Sequence, residues 1–403
     1  MRFLTLNQAL ADLPYFTRNF TLSSLSSTDL TPASTPWIII GCSYSGARAA
    51  ISRSRYPETF FAAYAASAPV QFQVELDTFF DPVYHKMVDK GYGNCTQDLH
   101  AAMKYVDLQL SDSQNVSSIK QRFLGPGAES NNNGDFTIAI ANIYSSFQSY
   151  GITGGKPSLA SLCDYLERDP ISNLTAGPDG LVSHHGAQFV AEHLASWSDL
   201  LPVINNHFST NCRGVNESIP LSCDLAQPAL AVAGISWTWQ LCSELGLFTT
   251  QNSGPHSLVS RYQNLEYRQS LCTRQFPDGL ASKLLHVPPP VDHINQETGG
   301  RSMRPSNVFW TAGQYDPWRS LSPLANERKN SEQPSVAVTQ DVPACNVATG
   351  KDTLFGYVIK DAEHCFDYMM DSEPVAVARG HFVKALREWL PCFRGSIDRA
   401  TDT

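Results

Sequence analysis

A run of about 18 apolar residues, the length a bilayer-crossing helix needs, occurs nowhere in the 403-residue chain. No membrane span is expected. Charged residues are scarce at 17%, the net charge is -9, and Lys and Arg form no cluster. Such a surface cannot track a phosphate backbone or an anionic lipid layer, which excludes nucleic acid and membrane surfaces as partners. Cysteine pairs at C-x-x-C spacing are missing, so no thiolate metal site is expected, and no cofactor is read from the chain. Internal repeats and low-complexity tracts are also absent. The first residues, Met1-Arg-Phe-Leu-Thr-Leu-Asn7 followed by Gln8 and Asp12, lack the apolar core of an export signal.

That last absence conflicts with what is present. Ten cysteines are spread through the chain and read as a disulfide framework. N-x-[ST] triplets at Asn19, Asn94, Asn115, Asn173 and Asn216 are acceptors for N-linked glycans. Together they indicate a secreted or a lysosomal or vacuolar compartment. The expectation is therefore that the natural amino terminus lies upstream of Met1.

The length suffices for one large domain or two ordinary ones, and the chain is organised around Trp37-Ile-Ile-Ile-Gly-Cys-Ser-Tyr-Ser-Gly46. A β-branched apolar run stops at Gly41, and a serine two residues on is followed by a helix-compatible stretch from Ala47 to Arg55. Strand, tight turn and helix are the setting of a nucleophile elbow, which lifts a serine hydroxyl clear of a sheet at a helix N-terminus. Ser43 is the expected nucleophile. The usual G-x-S-x-G spacing is only partly met, because Ser45 stands at +2 and the glycine comes at +3. Taken alone, a Gly/Ser turn between a strand and a helix explains the stretch as well.

A helical rhythm at Leu6, Leu10, Leu13 and Phe16 precedes the elbow, and Phe60 to Ser67 reads as a second strand. The resulting βαβ unit predicts a parallel sheet. From Glu75 long amphipathic stretches take over, at Leu76 to Asp89, Cys95 to Leu110, Phe136 to Tyr150 and Ala187 to His207. Sheet-like runs return at Asn307 to Thr311 and Leu354 to Ile359, and Val375 to Leu390 has the rhythm of a covering helix. The fold class expected is α/β, with an α/β-hydrolase core made of residues 1–74 and 291–403 and a helical cap at 75–290, the sheet lacking its first strands.

Two loops answer the elbow. Asp316 follows the first returning strand in Ala312-Gly-Gln-Tyr-Asp-Pro-Trp318, and His364 follows the second in Lys360-Asp-Ala-Glu-His-Cys-Phe-Asp367. Catalytic groups of open α/β sheets sit past the carboxyl ends of strands. The order Ser43, Asp316, His364 is the chain order of α/β-hydrolases. A serine hydroxyl needs a neutral imidazole to take its proton and a carboxylate to hold that imidazole's tautomer. The Tyr44 amide would supply one oxyanion donor. An Asx turn before Pro317 and a surface histidine are the ordinary readings of the two loops taken singly.

With these residues the chain resembles the prolyl carboxypeptidase-like family of serine peptidases, which includes lysosomal prolyl carboxypeptidase, dipeptidyl peptidase II and fungal acid prolyl peptidases. Its motifs are matched by Gly41-Cys-Ser-Tyr-Ser-Gly46, Gly313-Gln-Tyr-Asp-Pro-Trp318, His364-Cys-Phe-Asp367 and, in the cap, Trp237-Thr-Trp-Gln-Leu-Cys-Ser-Glu244. The resemblance implies a serine exopeptidase, a carboxypeptidase or dipeptidyl peptidase, acting in acid on peptides with proline near the scissile bond. It implies that Trp318 and Tyr368 wall a pocket for the proline ring. Gln240 and Glu244 would hold a substrate terminus, although a structural place in the cap explains them equally. Peptides, and a second copy of the chain in a homodimer, are the partners expected. One departure is that Cys42 stands where the family usually has glycine, a change that would crowd the elbow or join a disulfide.

Alternatives come from the same residues. The other serine carboxypeptidase family has a similar elbow, G-E-S-Y-A-G, and an esterase or lipase would share the fold. An inactive truncated fragment or a peptide-binding pseudoenzyme is the alternative from outside catalysis. Sequence proximity alone suggests Cys242 with Cys272 and Cys212 with Cys223. Trp237 and Trp239 read as core, and His184, His185 and His193 lack an acidic or cysteine neighbour at ligand spacing.

Overall fold

Seven strands form in chain order among the described residues of a computed structural model, which cover 1–252, 254–325 and 336–393. They are β1 (Trp37–Cys42), β2 (Phe60–Ala66), β3 (Gln73–Leu76), β4 (Gly246–Thr249), β5 (Val308–Gly313), β6 (Ala337–Thr339) and β7 (Thr353–Ile359). Of the expected 291–403 segment, 326–335 and 394–403 lie outside the described residues. The chain divides into two compact units, one made of Met1–Val74, Trp239–Gly246 and Pro288–Thr403, the other of Glu75–Thr238 and Leu247–Val287. Trp239–Gly246 thus groups with the first unit, although the residues before and after it in sequence belong to the second.

The first unit holds an all-parallel sheet in the order β1-β2-β5-β7-β6. β2 is buried at every position, as a central parallel strand covered on both faces must be. Ala62, Tyr64 and Ala66 face a cluster with Phe309, Phe355, Phe382, Ala385 and Trp389, so alternation turns Ala63 and Ala65 to the other face. The carboxy-terminal helix Glu373–Trp389 buries Val375, Ala378, Phe382, Ala385 and Trp389. That spacing of three and four makes one apolar stripe, each large side chain contributing about 1.5 to 3 kcal/mol on burial. The elbow helix Tyr44–Arg55 packs on β1 and β2. Among the described residues β1 is an edge strand, which is why Ile40 is 54% exposed despite its apolar character. The amino-terminal helix Leu6–Asn19 starts at Thr5, whose side chain caps Gln8 N.

The second unit is helical, and its helices are shorter than the periodicity predicts. Leu76 to Asp89 divides into the end of β3 and a helix starting only at Asp81, where Pro82 fits the first turn. Phe136 to Tyr150 ends its main helix at Ala141 and passes through a tighter turn before a last helical turn at Phe147–Tyr150. Ala187 to His207 is two helices, Val182–Ala195 and Leu200–Phe208, with Trp197 buried at the break. No helix among the described residues is long and apolar enough to cross a membrane. Disulfides Cys95–Cys163 and Cys212–Cys223 fasten this unit, the second as sequence proximity suggests; Cys242 and Cys272 are each disulfide-bonded.

Two carboxyl groups are buried together here. Asp98 accepts from the Leu181 and Val182 amides at 2.8 Å each, capping the Val182–Ala195 helix, with His193 near it. Glu167 is 5% exposed, and burial, followed by the charge of Asp98, pushes its carboxyl up to about 8 from 4.5. The folded chain therefore keeps a proton that the unfolded chain loses. Between about pH 4.5 and 8 the unfolded state binds fewer protons, so stability falls as pH rises. Glu167→Gln is expected to remove that fall: thermal melts from pH 5 to 8 should slope downward for the unmodified chain and run several degrees flatter for the variant. Equal slopes would refute the assignment.

Candidate active site

Ser43 sits where β1 stops and the elbow helix begins, at φ 60° and ψ -132°, a combination that L-residues rarely hold and that turns are built to impose. Its amide donates to Ala66 O and its carbonyl accepts from Ala47 N, both at 2.9 Å. The turn is thus tied to β2 before and to the helix after. The glycine at +3 has a cause: a Cβ on Gly46 would lie 2.5 Å from Ala66 O. Ser45 at +2 is exposed and can carry a side chain. Tyr44 heads the helix, in the first turn, whose amides have no intrahelical acceptor. Burial pushes its hydroxyl up to about 12, with Arg48 pulling it down and Glu244 adding to the rise.

Asp316 follows β5 and is 1% exposed. Its Oδ1 accepts from Trp318 N at 2.9 Å and lies 2.8 Å from His364 Nδ1. A carboxylate only accepts, so Nδ1 is the imidazole nitrogen that donates. Oδ2 is buried with no partner among the described residues. Gly313, at the end of β5, makes the approach feasible, since a Cβ there would stand 2.1 Å from Glu363 O and 2.4 Å from Ala362 O in the histidine loop. The Trp318 ring lies 6.2 Å from the His364 ring.

The histidine loop is also held from beneath. Asp367 Oδ2 accepts from Tyr64 Oη of β2 and, at 2.6 Å, from Thr311 Oγ1 of β5. Burial first, then the Asp367 charge, drives the Tyr64 hydroxyl upward. Cys365 N donates to Ser67 Oγ at 2.9 Å, and Tyr315 N donates to Ala362 O at 2.8 Å. Cys365 itself is bonded to Cys42, so the departure at the elbow is one half of a disulfide. Sequence reasoning missed this anchor set. The signal was Tyr64, the lone polar side chain in Phe60-Phe-Ala-Ala-Tyr-Ala-Ala66.

Other expected residues scatter. Glu244 accepts from the Leu6 amide at 2.7 Å and so secures the first turn of the amino-terminal helix, while Gln240 is 9% exposed. Tyr368 is 54% exposed just past the histidine. Asn19, Asn173 and Asn216 are exposed, and Asn94 and Asn115 are half-buried. Trp239 is buried but Trp237 only partly so. His185 pairs with Asp169 at 3.1 Å, and His193 bonds Tyr165 O at 3.2 Å. The His364 ring and the sulfurs of Cys42 and Cys365 lie within 4.8 Å of one another, but the sulfurs share a disulfide and offer no thiolate to a metal. A cleft of about 750 Å³ lined by Arg53, Glu58, Ser306 and Asn346 opens beside the starts of β2 and β5, the ends opposite Ser43, and Arg53 is spent there on Ser306, Pro57 and Asn346.

Comparison with known proteins gives a family match. The sequence profile of the serine carboxypeptidase S28 family matches residues 1–351, a span that includes Ser43 and Asp316. The thymus-specific serine protease of Homo sapiens is 25% identical over 97% of this chain and 69% of its own. The probable extracellular serine carboxypeptidase of Arthroderma benhamiae is 24% identical over 79% of this chain and 45% of its own. The serine protease vicPb of Bipolaris victoriae is 26% identical over 84% and 65%. The chain thus spans between 45% and 69% of the length of these relatives.

Proposed function

The chain belongs to the serine carboxypeptidase S28 family, and from that premise we propose that it is a serine exopeptidase acting on proline-containing peptides through Ser43, His364 and Asp316. The observation that carries the reading is the 2.8 Å contact between His364 Nδ1 and a buried Asp316 carboxylate, on the loops past β5 and β7, with Ser43 on the elbow past β1. Ser43 Oγ attacks the scissile carbonyl while His364 Nε2 takes its proton, then returns it to the leaving amine, leaving an acyl-enzyme that water cleaves by the same steps. The Tyr44 amide stabilises the oxyanion. Trp318, its backbone amide held by Asp316, is the wall proposed for the proline ring, with Tyr368 beside it.

The helical unit, residues 75–238 and 247–287, is proposed as the inserted cap domain. A secreted or lysosomal/vacuolar site fits the disulfides, the five sequons, three of them with an exposed asparagine, and the name of the Arthroderma relative. A homodimer belongs to the same reading.

The test is a peptide panel in mild acid with Xaa-Pro sequences whose amino or carboxyl terminus is blocked in turn. Blocking one terminus should abolish cleavage and identify the end being trimmed, and alanine in place of proline should lower kcat/KM by at least about 10-fold, the scale of a lost apolar fit. Ester hydrolysis with no peptide cleavage would favour an esterase. Peptide binding with no cleavage would favour the pseudoenzyme.

A further inference from the structure

The sheet order sets a problem that the histidine loop must solve. β7 is three strand positions from β1, or about 14 Å at the usual spacing. His364 leaves β7, Ser43 leaves β1, and the loop has to reach back over the ends of β5 and β2. Its other anchors stop short of β1: Ala362 O is held by Tyr315 beyond β5, Cys365 N by Ser67 beyond β2, and Asp367 by Thr311 and Tyr64. The last step is covalent. Cys42 and Cys365 are disulfide-bonded with their Cα atoms 5.8 Å apart, and they are the residues immediately before Ser43 and immediately after His364. The backbone at both ends resists this path, since Ser43, Asp361 and Cys365 have φ of 60°, 60° and 56°. Non-glycine residues persist there only when neighbouring structure holds them.

We propose that Cys42 and Cys365 are a positioning pair for the reaction: their disulfide draws the histidine loop onto the nucleophile elbow, and its reduction separates base from nucleophile without unfolding the core. The inference rests on the assignment of Ser43 and His364 made above. Cys42 is half-exposed and Cys365 8% exposed, so a dithiol thiolate attacks Cys42 Sγ. The S–S electron pair leaves on Cys365 Sγ, which takes a proton. The second thiol of the dithiol then attacks the mixed disulfide, and Cys42 leaves as a thiolate and is protonated. Two electrons and two protons pass to the protein, and the dithiol ends as a cyclic disulfide. The hydrogen bonds to Ser67, Thr311 and Tyr64 survive that exchange, which is why the loop loosens while the sheet stays.

The experiment compares the unmodified chain with the Cys42→Ser/Cys365→Ser double variant, which keeps the other disulfides. It measures fluorophosphonate labelling rate, kcat and KM on the peptide found above, and near-ultraviolet circular dichroism, each before and after dithiothreitol and after reoxidation by oxidised glutathione. The expected result is a folded variant that labels about 10²-fold more slowly, the scale of a misplacement near 1 Å, with kcat reduced and KM within about two-fold. Dithiothreitol should bring the unmodified chain to the variant's rate reversibly, and leave the variant's rate unchanged. A folded variant that labels at the unmodified rate overturns the inference and leaves the Ser43 assignment intact. Failure of the unmodified chain to label overturns that assignment and this inference with it. If the serine pair does not fold, Cys42→Gly/Cys365→Ala is measured in its place, and full labelling there is equally fatal.

Discussion

Ser43→Ala is expected to lower kcat about 10⁶-fold, as removal of the nucleophile does when a triad acts as a unit, while the melting temperature stays within about a degree. The two effects separate because everything that holds position 43 in place is main chain: its amide on Ala66 O and its carbonyl on Ala47 N. Alanine keeps both. The turn with φ 60° and ψ -132° is no easier for alanine than for serine. Peptide affinity should change little, since the hydroxyl acts only once the carbonyl is attacked. Active-site labelling and steady-state hydrolysis in mild acid check the loss. Residual turnover above about 1% of the unmodified rate, in a preparation free of other hydrolases, would put the nucleophile elsewhere.

Asp316→Asn is expected to cost about 10⁴-fold in kcat by a different route. Asp316 Oδ1 serves two donors, Trp318 N at 2.9 Å and His364 Nδ1 at 2.8 Å. An amide has one oxygen. In the place of Oδ1 it can accept from both donors, but it is uncharged and no longer stabilises the imidazolium that forms when His364 takes the serine proton. Stability should move the other way. The Asp316 Oδ2 atom is buried without a partner among the described residues, so a neutral side chain removes a buried charge. Asp316→Asn should therefore melt at or above the unmodified chain. His364→Ala, which leaves that buried carboxylate with the Trp318 amide but without the imidazole donor, should lose about 1 to 3 kcal/mol. Chemical denaturation of the two variants side by side tests the contrast, and a His364→Ala chain more stable than Asp316→Asn would refute it.

The parts of this fold that the sequence disclosed are those where one residue type answers one local requirement. A β-branched run ending at Gly41, an apolar run ending at Thr311 and a third ending at Ile359 each announce a strand and the loop behind it that carries a candidate site residue. What stayed hidden depends on neighbours far away in sequence. β6 is three residues long and half-exposed, with little apolar pattern to show. β3 is only four residues, and its apolar end at Leu76 blends into the helical rhythm that follows. The helix near 141 breaks at Asn142 and the one near 196 at Ser196, which periodicity counts as ordinary polar positions. Cys42 pairs across 323 residues, a separation over which spacing carries no information. Asp367 was visible as a carboxylate beside the histidine, but its partners on β2 and β5 are known only once the strands are adjacent. Glu244 read equally as a substrate contact and as a structural position, and the Leu6 amide that it serves is 238 positions away.

The order of the sheet also sets a timetable for synthesis. β1 and β2 can pair as soon as they leave the ribosome, but the next neighbour of β2 is β5, with Ala63 opposite Val308. Between them the whole helical unit, residues 75–238 and 247–287, must be made. At about 5 to 20 residues per second, the elbow at Ser43 waits roughly 15 to 60 seconds for the loop that bears His364. A nascent βαβ unit with its apolar face open for that long is a natural client for chaperones. The helical unit, complete in sequence before β5 exists, is the part expected to fold first.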